Sequence, residues 1–374
     1  MKALGHYYLE DMNANSADAG EVLIECKSVW KVFGDKAPQA MKAIAERGLS
    51  KTEVLREFDC VVGVSQANIQ VRKGEIFCIM GLSGSGKSTL IRLLNRLIEP
   101  SGGEIRIKGQ NLMQLDARDL RAMRAKHIGM VFQAVALLPH RNVLENAAFG
   151  LEVQGVPKAE RQRIAASALA KVGLSEWLHK MPRELSGGMQ QRVGLARAIA
   201  ADPEIILMDE PFSALDPLIR RQLQDEFRQL TKELGKSAVF ITHDLDEAIR
   251  IGDRIAIMKD GVIVQTGTAA EIVMNPANAY VAEFVAGISH MHLVTARSVL
   301  CPVAEYQRSA PLVDVYALSR AAPDDDLQAL IAIMVDASDH ALAVWDGAAL
   351  LGIVTARALL KSVQEKPAYS VAET

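Results

Sequence analysis

Long apolar runs are missing from this chain. No window holds 18 consecutive apolar residues, so no segment is expected to span a bilayer. The opening stretch MKALGHYYLEDMNANSADAG has no apolar core and carries acids, so it is not expected to act as a signal peptide. Net charge is also small. The 42 basic and 45 acidic side chains leave −3 at pH 7, which argues against binding polyanions with the whole surface. Cysteine is scarce: Cys26, Cys60, Cys78 and Cys301 are scattered, and no pair has metal-ligand spacing. Three of them lie in or beside apolar, strand-like runs. Reduced, buried thiols in a cytosolic protein are therefore expected.

What is present is enough to fold. The chain has 374 residues, 49% of them hydrophobic, which predicts two or three domains around sizeable cores rather than disorder. After the apolar run EIFCI comes MGLSGSGKST, in which Gly81, Gly86, Lys87 and Ser88 fit G-x-x-x-x-G-K-[ST]. Glycines at this spacing let backbone N–H groups converge on phosphate oxygens. Lys87 then reaches the terminal phosphates and Ser88 ligates Mg²⁺. TLIRLLNRLI follows as an expected helix with its positive end toward the anion. The loop, with Ser83, Gly84, Ser85 and Thr89, is expected to hold a nucleoside triphosphate.

Two further stretches bear on the reaction. EIILMDEP, residues 204–211, reads as a buried central strand of a parallel sheet ending in two carboxylates. Asp209 emerges at the strand's carboxyl end, where it can hold Mg²⁺, and Glu210 can orient and deprotonate a water. RELSGGMQQRVGLARAIAADP, residues 183–203, places Ser186, Gly187 and Gly188 at the start of a helix with apolar Met189, Val193, Ala196 and Ile199. Such a tip suits a phosphate. Two phosphate-binding tips in one chain make sense if each nucleotide sits between two chains. A second SGG, Ser101 to Gly103, lies between an expected helix and a strand and reads as a plain turn.

The order GLSGSGKST, VFQ, LSGGMQQR, IILMDEP, SALD and ITHD resembles the ATPase subunit of an ABC transporter over roughly residues 21–270. The resemblance implies an α/β P-loop ABC ATPase with a helical subdomain at about 134–183, binding ATP and Mg²⁺. It implies that Gln133 contacts Mg²⁺ and senses the membrane subunit. Ser186, Gly187 and Gly188 would close over the opposite subunit's ATP, and Asp216 would communicate across the dimer. His243 would contact the γ-phosphate and Phe33 would stack on adenine. The metal would thus be placed by Ser88, Gln133 and Asp209, with Glu210 and His243 as the catalytic pair.

Between Phe33 and CVVGVSQANIQVRKGE, about 25 extra residues (35–59) read as helical, with Ser50 as a cap and Glu53 three positions on. This insertion, with GEIFCIMGLSGSGKSTLIRLLNRLIEPSGGEI, resembles importers of glycine betaine, proline betaine and choline. After a linker at 271–289, the tail LSRAAPDDDLQALIAIMVDASDHALAVWDGAALLGIVTARALLKSV reads as strand, helix, strand, turn, strand, helix. It resembles one CBS module, within a reduced C-terminal α/β domain at 290–374, and residues 292–305 read as the remnant of another. Gly352 and Thr355 fit the module's GxxT, but Ala358 stands where its nucleotide-binding version has an aspartate.

Residues 1–20 are then an N-terminal extension. The resemblance implies a second copy of the chain and transmembrane permease subunits as partners, a solute-binding protein acting indirectly, and no nucleic acid. It implies a peripheral position on the cytoplasmic face of the inner membrane. An importer ATPase for histidine, methionine or another solute stays open. So does a soluble ABC protein acting on ribosomes or DNA, although the chain has one motif set and neither a coiled coil nor a zinc site.

Overall fold

The computed structural model describes residues 20–133, 135–286, 295–337 and 340–364. The expected N-terminal extension lies outside the described residues except for Gly20. The described residues form two compact units, divided between Ile263 and Val264.

The first unit holds two sheets. β1 (Val22–Phe33) pairs antiparallel with β2 (Val61–Arg72) and with a further strand, Gly102–Ile107. β3 (Ile76–Met80) follows β2 directly. With Gly102–Ile107 numbered β4 and Gln110–Asn111 numbered β5, the four-stranded sheet has the order β2-β1-β4-β5. The larger sheet adds β6 (Ile128–Val131), β7 (Ile205–Asp209), β8 (Ser237–Thr242), β9 (Arg254–Lys259) and β10 (Val262–Gly267) to β3. Its order is β10-β9-β3-β8-β7-β6, and the division between the units falls within β10. β3, β7 and β8 pair in parallel and are buried along their whole length, as unbroken apolar runs require. Phe77, Ile79, Leu90, Leu94, Val239 and Ile241 belong to the core between sheet and helices.

The insertion is helical, over Ala37–Arg47 and Lys51–Phe58. Its cap is reciprocal: the Ser50 hydroxyl accepts the Glu53 N–H at 3.3 Å, and the Glu53 carboxylate accepts the Ser50 N–H at 2.7 Å. The Ser50 hydroxyl also donates to the Glu53 carboxylate at 2.7 Å, and that bond, with the one from the Ser50 N–H, holds the Glu53 carboxyl below its usual pKa. Ala40 and Val54 pack with Val32, Cys60 and Val62, so the insertion makes its own small core against β1 and β2.

Two local expectations change. The helix expected over TLIRLLNRLI begins at Lys87 and stops at Leu94. Arg124 takes the carbonyls of Asn95 and Arg96, both at 2.7 Å, and Arg96 has φ +53°. The second SGG is not a plain turn, because Gly102 and Gly103 open β4. Ser101 Oγ accepts the Val32 N–H at 3.0 Å, and Gly103 has φ +86° with no room for a side chain: a Cβ there would sit 2.2 Å from the Ser28 carbonyl oxygen. Gly109 has a similar φ of +77° but open space around it. Gly109→Ala is therefore expected to cost about 1 kcal/mol, the left-handed penalty alone. Gly103→Ala should cost at least about twice that, because the backbone must move. Urea unfolding of the two variants checks the contrast, and equal costs would contradict it.

The helical layer contains Val143–Ala147, Phe149–Val153 and Lys158–Lys171. Helix Gly187–Ala200 packs on Lys158–Lys171, so the layer continues past residue 183. Ala134 lies outside the described residues.

In the second unit, the stretch expected as a linker carries helices Ala269–Met274 and Ala279–Val285. Residues 287–294 lie outside the described residues, including the first part of the expected remnant. The tail then follows the expected order: β11 (Arg320–Ala321), helix Leu327–Ala337, β12 (Ala341–Asp346), a turn at Gly347 with φ +58°, β13 (Ala349–Thr355) and helix Ala356–Gln364. β11 runs parallel to β12, and β12 antiparallel to β13. Cys301 and Ile353 exchange two backbone hydrogen bonds of 2.8 and 2.9 Å, an isolated bridge that joins the remnant to β13 at one residue.

Candidate functional site

The site grows from the carboxyl ends of β3, β7 and β8. β3 feeds the loop 81–86, whose glycines Gly81, Gly84 and Gly86 have φ of +154°, +80° and +102°. Gly81 and Gly86 are also pressed against backbone, since Cβ atoms there would lie 2.1 Å from the Met258 carbonyl oxygen and 2.4 Å from that of Gly63. Ser83 is exposed and Ser85 buried within the loop, and Thr89 lies in the first turn of the following helix. Lys87 is buried, and its ammonium donates to the carbonyls of Gly81 (2.8 Å) and Leu82 (3.1 Å). Burial lowers its pKa, and the charges of Glu210 and Asp209 oppose that shift.

β7 delivers the acids. Ser88 Oγ donates to Asp209 Oδ1 at 2.8 Å, and Arg92 Nη2 lies 3.5 Å from Asp209 Oδ2. Glu210 has φ +45°, a left-handed conformation unusual for a glutamate. That turn sends its carboxylate among three of the expected partners. Oε2 is 3.2 Å from His243 Nδ1 and 3.5 Å from Gln133 Nε2, and Oε1 is 3.9 Å from Lys87 Nζ. Gln133 follows β6 and His243 follows β8, so three adjoining strand ends contribute to one cluster.

Other expected residues stand apart from this cluster. Ser186 caps helix Gly187–Ala200 by accepting the Met189 N–H at 3.4 Å, and Asp216 caps helix Pro217–Glu233 by accepting the Ile219 N–H at 3.1 Å. These two tips adjoin each other: a Cβ on Gly187 would lie 3.6 Å from Leu215, and one on Gly188 2.9 Å from Ile219. Among the described residues, no hydrogen bond joins Ser186, Gly187, Gly188 or Asp216 to the phosphate loop. Phe33 ends β1, is 39% exposed, and has Lys31 Nζ 5.0 Å from its ring centre. Gly63 leaves that ring its space, since a Cβ there would meet it at 2.7 Å.

Sequence reading missed Arg92. Its signal was helical spacing, because Arg92 lies four residues after Ser88 and shares its face of the helix. Lys31 beside Phe33 was missed as well; strand alternation alone puts both on one face.

A glycine-rich loop between a buried parallel strand and a helix, with an aspartate on the loop's serine, is the layout of a P-loop nucleotide-binding fold. A family model described as ABC transporter matches residues 64–213. The glycine betaine transport ATP-binding protein of Bacillus subtilis (strain 168) is 54% identical over 285 residues, which are 76% of this chain and 68% of that one. The glycine betaine/proline betaine transport system ATP-binding protein of Escherichia coli (strain K12) is 51% identical over 278 residues, 74% of this chain and 69% of that one. Among solved structures, a dimeric ATP-binding cassette in a post-hydrolysis state bound to ADP and Pi matches with a TM-score of 0.56 at 31% identity. That match covers 66% of this chain and 99% of the cassette. The chain belongs to the ATP-hydrolysing subunits of the ABC transporter family.

Proposed function

We propose that this chain powers an importer of quaternary-amine osmolytes such as glycine betaine, proline betaine or choline. The observation that carries the mechanism is the meeting of Lys87, Gln133, Glu210 and His243 around one strand-end cluster. ATP would lie on the loop 81–89, with Lys87 leaving its loop carbonyls for the terminal phosphates and Phe33 stacking on adenine. The donor set fits Mg²⁺, since the Ser88 hydroxyl and the Asp209 carboxylate already touch, and Gln133, whose amide nitrogen lies 3.5 Å from Glu210, carries an amide oxygen that would join them. Bound there, the metal would neutralise phosphate charge. Glu210 orients and deprotonates the attacking water, and His243 holds the γ-phosphate while contacting Glu210. Ser186 to Gly188 complete the site of a second copy, and Asp216 lies at that same tip.

Transport follows from closing and opening of the dimer, which drives permease subunits between inward and outward access. A solute-binding protein would deliver the osmolyte. No helix among the described residues is long and apolar enough to cross a membrane. Contact with the permease, on the cytoplasmic face of the membrane, supplies the peripheral attachment in this reading.

The tail is read as a reduced CBS-like regulatory module. Supporting this are its three-stranded sheet and the helices that cover it through Leu327, Leu330, Met334 and Leu359. Thr355 Oγ1 accepts the Ala358 N–H at 3.1 Å, so the threonine caps the last helix, and position 358 offers no carboxylate for a ribose. Ionic strength is the proposed input, because salt screens charged contacts over about 8 Å at physiological strength.

One reconstitution tests both parts. With its permease in proteoliposomes, the chain is expected to drive ATP-dependent uptake of glycine betaine. Uptake of histidine or methionine instead would transfer it to another importer. Deleting residues 290–374 is expected to leave ATP hydrolysis intact and change the salt response of uptake. An unchanged response would make the tail a stability element only.

A further inference from the structure

Behind the strand-end cluster lie three buried polar side chains bonded to one another: Gln224, Thr242 and Glu247, which are 3%, 1% and 7% exposed. Gln224, on helix Pro217–Glu233, donates from Nε2 to Glu247 Oε1 at 2.9 Å. The Thr242 hydroxyl donates to Glu247 Oε2. Thr242 is the last residue of β8 and directly precedes His243. Its Oγ1 also accepts the N–H of Asp244 at 2.9 Å. One hydroxyl therefore ties together both chain neighbours of His243, and one carboxyl anchors that hydroxyl.

The same helix makes a second tie. Arg220 lies one turn before Gln224, with Nη1 3.8 Å from Asp244 Oδ2. Its Nη2 donates to the carbonyls of Ser213 (3.2 Å) and Leu215 (2.9 Å), in the segment that leaves Glu210. Helix Pro217–Glu233 thus grips the segment after Glu210 and the segment that bears His243. Burial raises the Glu247 pKa, and the bonds from Thr242 and Gln224 oppose that shift. A buried carboxyl is costly unless it is well paired, and this one is paired with the Gln224 amide and with the hydroxyl of Thr242, the residue before His243.

We propose that Glu247 is a positioning residue of the hydrolysis site. Through Thr242 and Gln224 it fixes His243 against Glu210 and couples their spacing to the helix that Asp216 caps. This rests on the roles given to His243 and Glu210 above. It reaches beyond them by making the helix after Asp216 a mechanical determinant of the histidine's place.

The test uses the full chain with Glu247→Leu, Glu247→Gln and Gln224→Leu, and with His243→Ala as reference. ATP turnover, ATP affinity and the histidine ring resonances are measured, and the His243 signal is identified by its loss in His243→Ala. Glu247→Leu is expected to displace that signal and lower kcat about tenfold, with ATP affinity unchanged within about twofold. Glutamine can still accept from Gln224 and donate to Thr242, so Glu247→Gln should restore the signal and bring kcat within about threefold of the parent. Adding Gln224→Leu to Glu247→Leu should cost little more, because both break one chain of bonds.

An unmoved His243 signal in Glu247→Leu, or a glutamine variant as impaired as the leucine one, overturns the proposal. If Glu247→Leu does not fold, Gln224→Leu decides: an unshifted signal with normal kcat overturns it. Normal turnover in His243→Ala refutes the role of the histidine instead, and the resonances still report whether Glu247 places it.

Discussion

Replacing Glu210 with glutamine is expected to leave ATP bound while lowering turnover by on the order of 10² or more. The geometry explains both halves. Glutamine has the shape of glutamate and keeps an oxygen for the His243 and Gln133 contacts at 3.2 and 3.5 Å, but it cannot take a proton from water. Binding depends on other groups. Lys87 makes its shorter contacts to loop carbonyls, at 2.8 and 3.1 Å, and stands 3.9 Å from Glu210. Freed of a nearby negative charge, the site should hold the triphosphate at least as well. Turnover and ATP affinity of the purified, permease-bound variant check this. Near-normal turnover would rule out Glu210 as the principal base.

Chains carrying Lys87→Ala or Ser186→Arg are each expected to be inactive alone and to recover activity when mixed. Within one chain, Ser186 to Gly188 adjoin Leu215 and Ile219 rather than the phosphate loop. A head-to-tail pair would bring each serine tip to its partner's loop. A mixed dimer then has one site lacking both elements and one site intact. At equal mixing, half of the dimers are mixed, so about a quarter of the parent rate is the ceiling for independent sites. Full activity of either variant alone, as a monomer, would contradict a shared site.

What the sequence disclosed depended on how local the signal was. The phosphate loop, the buried strand ahead of Asp209, the Ser50–Glu53 cap and each strand or helix of the tail are written in neighbouring residues. Their physics is equally local: backbone freedom, apolar patterning and capping. Apart from Lys31 beside Phe33, the main shortfalls involve partners distant in the chain or a turn that its own residues do not announce. The helix after Lys87 ends where Arg124 captures carbonyls 28 and 29 residues away. Gly102 and Gly103 join a strand because Trp30 and Ser28 lie beside them. The left-handed turn at Glu210 belongs to a chain reversal at a strand end, and no glycine announces it. The pairing of Asp209 with Arg92 needed β3 and β7 to be placed in one sheet first.

The rung between Cys301 and Ile353 has a consequence for solubility. β13 is the outer strand of its sheet, and an outer strand offers unpaired N–H and C=O groups to any passing chain. By occupying both groups of Ile353, the segment before the tail closes that template at its centre. A stretch that looks vestigial in sequence thereby guards the sheet against growing, strand by strand, into neighbouring copies.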